Sequence, residues 1–255
     1  VQEHRSLQIP AEFKLFRLHL IAGNLTIVGV PDATGVEVEA EIRAEADSTE
    51  AAQQLLQESQ FVPEIKDNKC WLLVKDDNHW LSIDTANRSI RVNVTADLTL
   101  RVPRNMDLHV STDRGFVDVT GMESDCDLAT KDGPVRANTA GRRLEVTTRA
   151  GEIDAITAAL DVQLRAEGDG VRAHLTGEGP PQTQIQTASG DIEVFVADDV
   201  SARLSCNTRG EISIDLPWEK EPSGKYVALG RIGAGEGRLD VTSKTGNIKI
   251  SRQSP

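Results

Sequence analysis

Thr147–Ala155 reads TTRAGEIDA, and the same phrase returns along the second half of the chain. It stands as STDRGFVDV at Ser111–Val119, ATKDGPVRA at Ala129–Ala137, QTASGDIEV at Gln186–Val194 and TSKTGNIKI at Thr242–Ile250. The shared core is Thr or Ser, two residues, Gly, one residue, then Val or Ile. Taking that last residue as an anchor gives Val117, Val135, Ile153, Val171, Ile192, Ile212 and Ile248, at steps of 18, 18, 18, 21, 20 and 36. A period near 20 is the mark of a repeat architecture. Apolar residues alternate with polar ones on both sides of each glycine, as in Leu144/Val146 before it and Ile153/Ala155 after it. Period-2 alternation of this kind is a strand with one face in the core. The glycine supplies the backbone freedom that a tight corner between two such strands requires.

A propeller blade needs roughly 40–45 residues, about twice this unit, which leaves a parallel solenoid or an antiparallel meander. The residue after each anchor separates the two: Asp118, Arg136, Asp154, Arg172, Glu193, Ser213 and Lys249. The first five alternate in sign. In a parallel stack these side chains sit ~4.8 Å apart on one outer face, where alternation of sign is favourable. In a meander the alternation has no purpose. The sequence therefore predicts an all-β fold, a parallel β-helix or solenoid over residues 105–250. Parallel connections are overwhelmingly right-handed, so a right-handed coil is expected. Coils stacked in chain order place Cys126 and Cys206 four coils, roughly 19 Å, apart, too far for a disulfide. Both face inward with their strands, and Cys70 shares the parity of Leu72 and Val74, so three free, buried thiols are expected.

The rest of the chain reads as one domain with the coils. Residues 1–12 look like a loose lead-in. Phe13–Val30 alternates as strands do, and its AGNLTI turn echoes TGNIKI near the other end, so the first coil is built from the amino terminus. Val36–Ala44 (VEVEAEIRA) is a strand with an acidic outer face. A helix follows, with Asp47 as cap, Glu50 completing a capping box, Ala51, Ala52, Leu55 and Leu56 as its apolar stripe, and Pro63 as its end. Cys70–Val74 and Ser89–Val94 add two strands, and Leu98–Pro103 leads into the repeats. Residues 32–94 thus form a small α+β insertion or flank near the N-terminus, packed on the solenoid. After Ile214, Pro217-Trp218 and the loop at 219–225 precede Gly230–Gly237 (GRIGAGEG). That GxGxG is followed by the strand-like LDVT rather than a helix, so it lacks the context of a dinucleotide fingerprint and reads as a glycine-rich corner.

The order of these features resembles the bacterial "putative adhesin" family of β-strand-repeat proteins: an AGNLTI turn, an α+β insertion, LRVP, then coils of TxxGxI closing in RLDVTSKTGNIKI. The resemblance spans residues 13–251. It implies a parallel β-helix and a cell-envelope or secreted setting, and it carries no catalytic residue across. The copy around Arg165–Ala173 departs from the pattern, with Ala166 in the place of Thr, which brings its corner geometry into question.

Composition narrows the function. With 40 acidic against 28 basic side chains the net charge is −12, which disfavours nucleic acid and anionic membranes as partners. No run of ~18 apolar residues is present, so no membrane span is expected. The chain begins at Val1 rather than Met, as after removal of a leader or anchor. The sequons at Asn24, Asn87 and Asn93 lie in or near strands and read as coincidence. Cys70, Cys126 and Cys206 have no metal spacing, and His4, His19, His79, His109 and His174 are scattered. His109 and His174 read as isolated exposed side chains.

No catalytic, cofactor-binding or metal-ligating residue is assigned, and no cofactor is implied. The reading is a non-catalytic interaction scaffold with a glycan or protein ligand. The alternative is a β-helix polysaccharide lyase or hydrolase, which needs two converging carboxylates or a metal-binding acidic cluster with a basic residue; the richest acidic stretch is Asp125 and Asp127, with Asp132 on the next corner. Sugar clefts present aromatic platforms, yet Trp71, Trp80 and Trp218 all lie outside the regular coils. Trp218 is the best candidate contact residue, or else a plug at the end of the core.

Overall fold

The computed structural model describes residues 1–10, 13–58, 60–66, 69–75, 84–85, 88–89, 93–177 and 179–253. Each repeat folds as expected into two short strands joined at the glycine, and successive repeats pair in parallel. Strands before the glycine form one sheet, the upstream sheet, and strands after it form the downstream sheet. Their inner rows, such as Leu128, Val146 and Leu164 facing Val117, Val135 and Ile153, are almost fully buried and make the core. Burial of such side chains contributes about 1.5–3 kcal/mol each.

The Thr-x-x-Gly phrase is a stacking device. From Thr130 onward the hydroxyl of the phrase turns inward and, where a copy has one, donates to the corner of the neighbouring rung. Thr148 Oγ1 donates to the Gly133 carbonyl at 3.2 Å, and Ser243 Oγ to the Gly190 carbonyl at 3.1 Å. The glycine is required because corners stack backbone on backbone. Gly151 has φ +138, and a Cβ there would lie 2.1 Å from the Gly133 carbonyl oxygen. The divergent copy keeps its corner by other means. Ala166 is buried without a hydroxyl. The Asp169 carboxylate takes the Gly151 N–H at 2.7 Å, and the Asp169 carbonyl takes the Thr187 hydroxyl at 2.8 Å.

Stacking does not follow chain order at the carboxyl end. Ile192 pairs with Ile248, and Ile248 with Ile212, so the last coil in sequence inserts between the two before it. The upstream sheet repeats the exchange, with Thr183 beside Leu239 and Leu239 beside Leu204. Thr208 accordingly donates to the Gly246 carbonyl. Cys126 and Cys206 are therefore five rungs apart, roughly 24 Å, and both are free and buried. The Cys70 side chain lies outside the described residues.

The amino-terminal part differs from expectation in two respects. Residues 2–10 are not a loose lead-in: Gln2–Pro10 is an edge strand paired antiparallel along the whole of its length with Gly35–Glu45. The helix Thr49–Glu58 is capped by Ser48, whose Oγ accepts the Ala51 N–H at 3.1 Å, not by Asp47. It ends before Pro63, which lies in the strand Gln60–Lys66. Strands of the flank continue both sheets of the solenoid. Asn93–Pro103 and Gly35–Glu45 extend the downstream sheet beyond Leu25–Val30. Lys69–Lys75 and Gln60–Lys66 extend the upstream sheet beyond Leu15–Ala22. The first coil is built from Leu15–Ala22 and Leu25–Val30, as the AGNLTI turn implied. At the far end the antiparallel strands Val227–Ile232 and Glu219–Glu221 close the upstream sheet on Ala202–Asn207.

Candidate functional site

Strand alternation turns the residue after each anchor outward, and parallel register aligns these residues in one row. The row runs Thr26, Asp118, Arg136, Asp154, Arg172, Glu193, Lys249, Ser213. Insertion of the Ile248 coil carries the alternation of sign to a sixth residue, Lys249, which chain order had placed beyond Ser213. Arg172 Nη2 pairs with Glu193 Oε2 at 3.2 Å. From Asp118 to Glu193 the row forms the floor of an open groove of about 660 Å³, bordered by Phe116, Pro134, Glu152 and Asp191.

A second outward row lies two residues further along and was not anticipated. It places Ile156, His174 and Phe195 on consecutive rungs. Ile156 is 41% exposed, and the His174 ring stacks on Phe195 with centroids 4.4 Å apart and planes at 15°. His174 is thus not isolated. Aligning the third residue after each anchor would have revealed this row. Together the two rows offer guanidinium forks, carboxylates and an apolar–aromatic strip to a ligand lying across the strands.

The residues considered for catalysis lie on the outer face of the other sheet, each engaged by a basic side chain. Asp127 Oδ2 is 2.7 Å from His109 Nδ1, so His109 is not isolated either. Asp125 Oδ2 is 3.4 Å from Arg142, and Asp132 Oδ1 is 2.9 Å from Arg149. The Cys126 thiol is pushed up to about 12 by burial, with Asp107 and Asp125 adding to the shift. Cys206 is pushed up to about 12 by burial and by Asp240. Buried, protonated thiols are poor nucleophiles. Among the described residues no group of three or more His, Cys, Asp or Glu is placed to hold a metal ion, and no helix is long and apolar enough to cross a membrane.

A family model for Toastrack DUF4097 matches residues 36–251. The chain belongs to the Toastrack DUF4097 family. No curated protein matches it. Among solved structures, this Toastrack chain is similar to a "putative cell adhesion protein" from Clostridium sporogenes, at 10% identity and TM-score 0.39, covering 99% of this chain and 100% of that one. It is similar to a "putative adhesin" from Bacteroides fragilis, at 13% identity and TM-score 0.43, covering 99% and 97%. A "putative lipid binding protein" from Parabacteroides distasonis matches at 11% identity and TM-score 0.29, covering 99% and 97%.

Of the three tryptophans, Trp80 and the side chain of Trp71 fall outside the described residues. Trp218 is half-buried against the end of the Toastrack core, flush with Gly230, where a Cβ would lie 2.8 Å from the indole. It closes the end of the stack beneath the strand Val227–Ile232.

Proposed function

We propose that this chain is a non-catalytic, adhesin-like protein of the cell envelope or of the secreted fraction, and that the groove on its downstream sheet receives a glycan or protein. The observation that carries this reading is the groove itself. It is long, open and regular, with charge of both signs on its floor and an apolar–aromatic strip beside it. Such a surface suits an extended ligand held at many weak points. A glycosidase-like centre needs two carboxylates acting on one bond, whereas Asp125 is engaged by Arg142 and Asp127 by the His109 ring. The test is incubation with a panel of acidic and neutral polysaccharides, reading both retention and release of reducing ends. We expect retention weakened by Arg172→Glu, with no release. Turnover that disappears in Asp125→Asn or Asp127→Asn would overturn the reading.

A further inference from the structure

Three arginines from three strands meet where the upstream sheet closes. Arg203 stands beside Arg238 on one neighbouring strand and beside Arg231 on the other. All three are exposed on the outer face. Like charges on directly opposed strand positions destabilise a sheet. Elsewhere in the same row Arg143 stands opposite Asp161, and the downstream row alternates throughout. With 40 acidic against 28 basic side chains, the chain has many carboxylates with which it could have broken this run. The outer two arginines are paired, Arg231 with Glu219 at 2.6 Å and Arg238 with Asp240 at 2.5 Å. Among the described residues no ion pair engages Arg203.

The glycine-rich turn is part of this place. Gly235 has φ +74, and a Cβ there would lie 3.3 Å from Arg231 Cβ and 3.7 Å from Arg203 Cγ. The turn therefore crosses the aliphatic stems of two arginines. With Arg238, Ser205 and the carboxylates of Glu221 and Asp240 they line an open cleft of about 560 Å³, in which three guanidinium groups face two carboxylates.

We propose that this cleft binds an acidic polysaccharide, with its carboxylate or sulfate groups held by Arg203 and its two arginine neighbours. Guanidinium groups match such oxyanions with two parallel hydrogen bonds. The ligand's charge supplies Arg203 with the counter-charge that Glu219 and Asp240 give its neighbours. A cleft on a sheet face gives one small anion few walls, whereas a polymer with many anionic groups gains from each contact in turn. The net charge of −12 opposes every polyanion, and most of all a rigid duplex or a membrane, which must meet much of the acidic surface at once; a flexible polysaccharide can meet the cluster alone. The site is separate from the downstream groove, and the two readings fail separately: a ligand lost in Arg172→Glu but kept in Arg203→Glu belongs to the groove.

The test measures binding of oligogalacturonate and of dextran sulfate by calorimetry, with neutral dextran, inorganic phosphate and a short DNA duplex as comparators. We expect binding of one or both acidic oligomers, weakening as salt rises, and little of the comparators. Arg203→Glu is expected to weaken it more than tenfold, Arg203→Lys by a smaller factor because charge remains without the fork, and Arg136→Glu less than twofold. Arg203→Gln is expected to raise or preserve the denaturation midpoint, which a structural arginine would not do. Equal binding by Arg203→Glu, equal binding of neutral dextran, preference for DNA or phosphate, or no binding of either acidic oligomer overturns the proposal. If Arg203→Glu does not fold, Arg203→Lys and Arg203→Gln decide.

Discussion

The charged row on the downstream sheet and the arginine row on the upstream sheet are built by the same strand alternation, yet only the first obeys a rule of sign. From Asp118 to Lys249 every charge has opposite charges beside it, so the row is explained by the stack it sits on. Arg238, Arg203 and Arg231 have no such explanation. Both rows depend on the inserted Ile248 coil, which extends the first by Lys249 and brings Arg238 to Arg203. A repeat protein can thus carry two kinds of surface charge, one that serves the fold and one that the fold tolerates. The difference is readable only when the true order of the rungs is known.

The largest expected effect is at a corner in the regular part of the stack. Gly151→Ala sets a Cβ against the Gly133 carbonyl at a φ that L-residues avoid, and no side-chain motion relieves a backbone clash. We expect a loss of about 3 kcal/mol or more in chemical denaturation. Gly224, in the loop at the irregular end, has nothing within 4 Å of a Cβ, and Gly224→Ala should be nearly neutral. Equal effects at the two glycines would break the distinction between regular stack and tolerant end.

Next is the response to alkali. Cys126 in the middle and Cys206 near the end are both pushed up to about 12, mainly by burial, whereas an unfolded thiol titrates near 8.5. The native state therefore holds protons that the unfolded chain releases. The resulting stability is full below pH ~8.5 and falls as pH rises toward 12. We expect the wild type to lose stability above pH ~8.5 more steeply than the Cys126→Ala, Cys206→Ala double variant, measured by denaturant midpoints. Parallel slopes for the two proteins would show that neither thiol is held as buried. A smaller loss, about 1 kcal/mol, is expected from Thr148→Val, which removes the hydroxyl bonded to Gly133 and keeps the shape.

The regular coils were legible because everything that defines them is local: alternation, the corner glycine and the hydroxyl three residues before it. The exchange of the last two coils was not, because the copies ending at Ile212 and Ile248 carry the same pattern, and no local signal says which one meets Ile192. Gln2–Pro10 was missed because an edge strand needs little apolar surface; only Ile9 in it is buried. The cap was placed on Asp47 because Asp47 and Ser48 are adjacent and both suited to it, and one residue of register decides. Of the candidate sites, the charged row was readable up to Glu193. The arginine cluster draws on three segments and was unreadable, and its glycine-rich turn was seen only as a corner.

The smallest effect is the most discriminating, because the two rows should respond with opposite sign. Arg136 lies between Asp118 and Asp154, and Arg136→Glu sets three like charges in succession. An exposed ladder of this kind should lose on the order of 1 kcal/mol at low ionic strength. The loss should shrink in molar salt, where the screening length falls to about 3 Å. Arg203→Gln removes the middle of three like charges, and the same argument gives no loss, or a gain of a few tenths of a kcal/mol, that also fades with salt. Both variants can be measured by urea denaturation across a salt series. Should Arg203→Gln lose as much as Arg136→Glu, the arginine row serves the stack just as the charged row does. Should Arg136→Glu lose nothing at low salt, the alternation contributes nothing to stability, and the sign rule that sets the two rows apart falls with it.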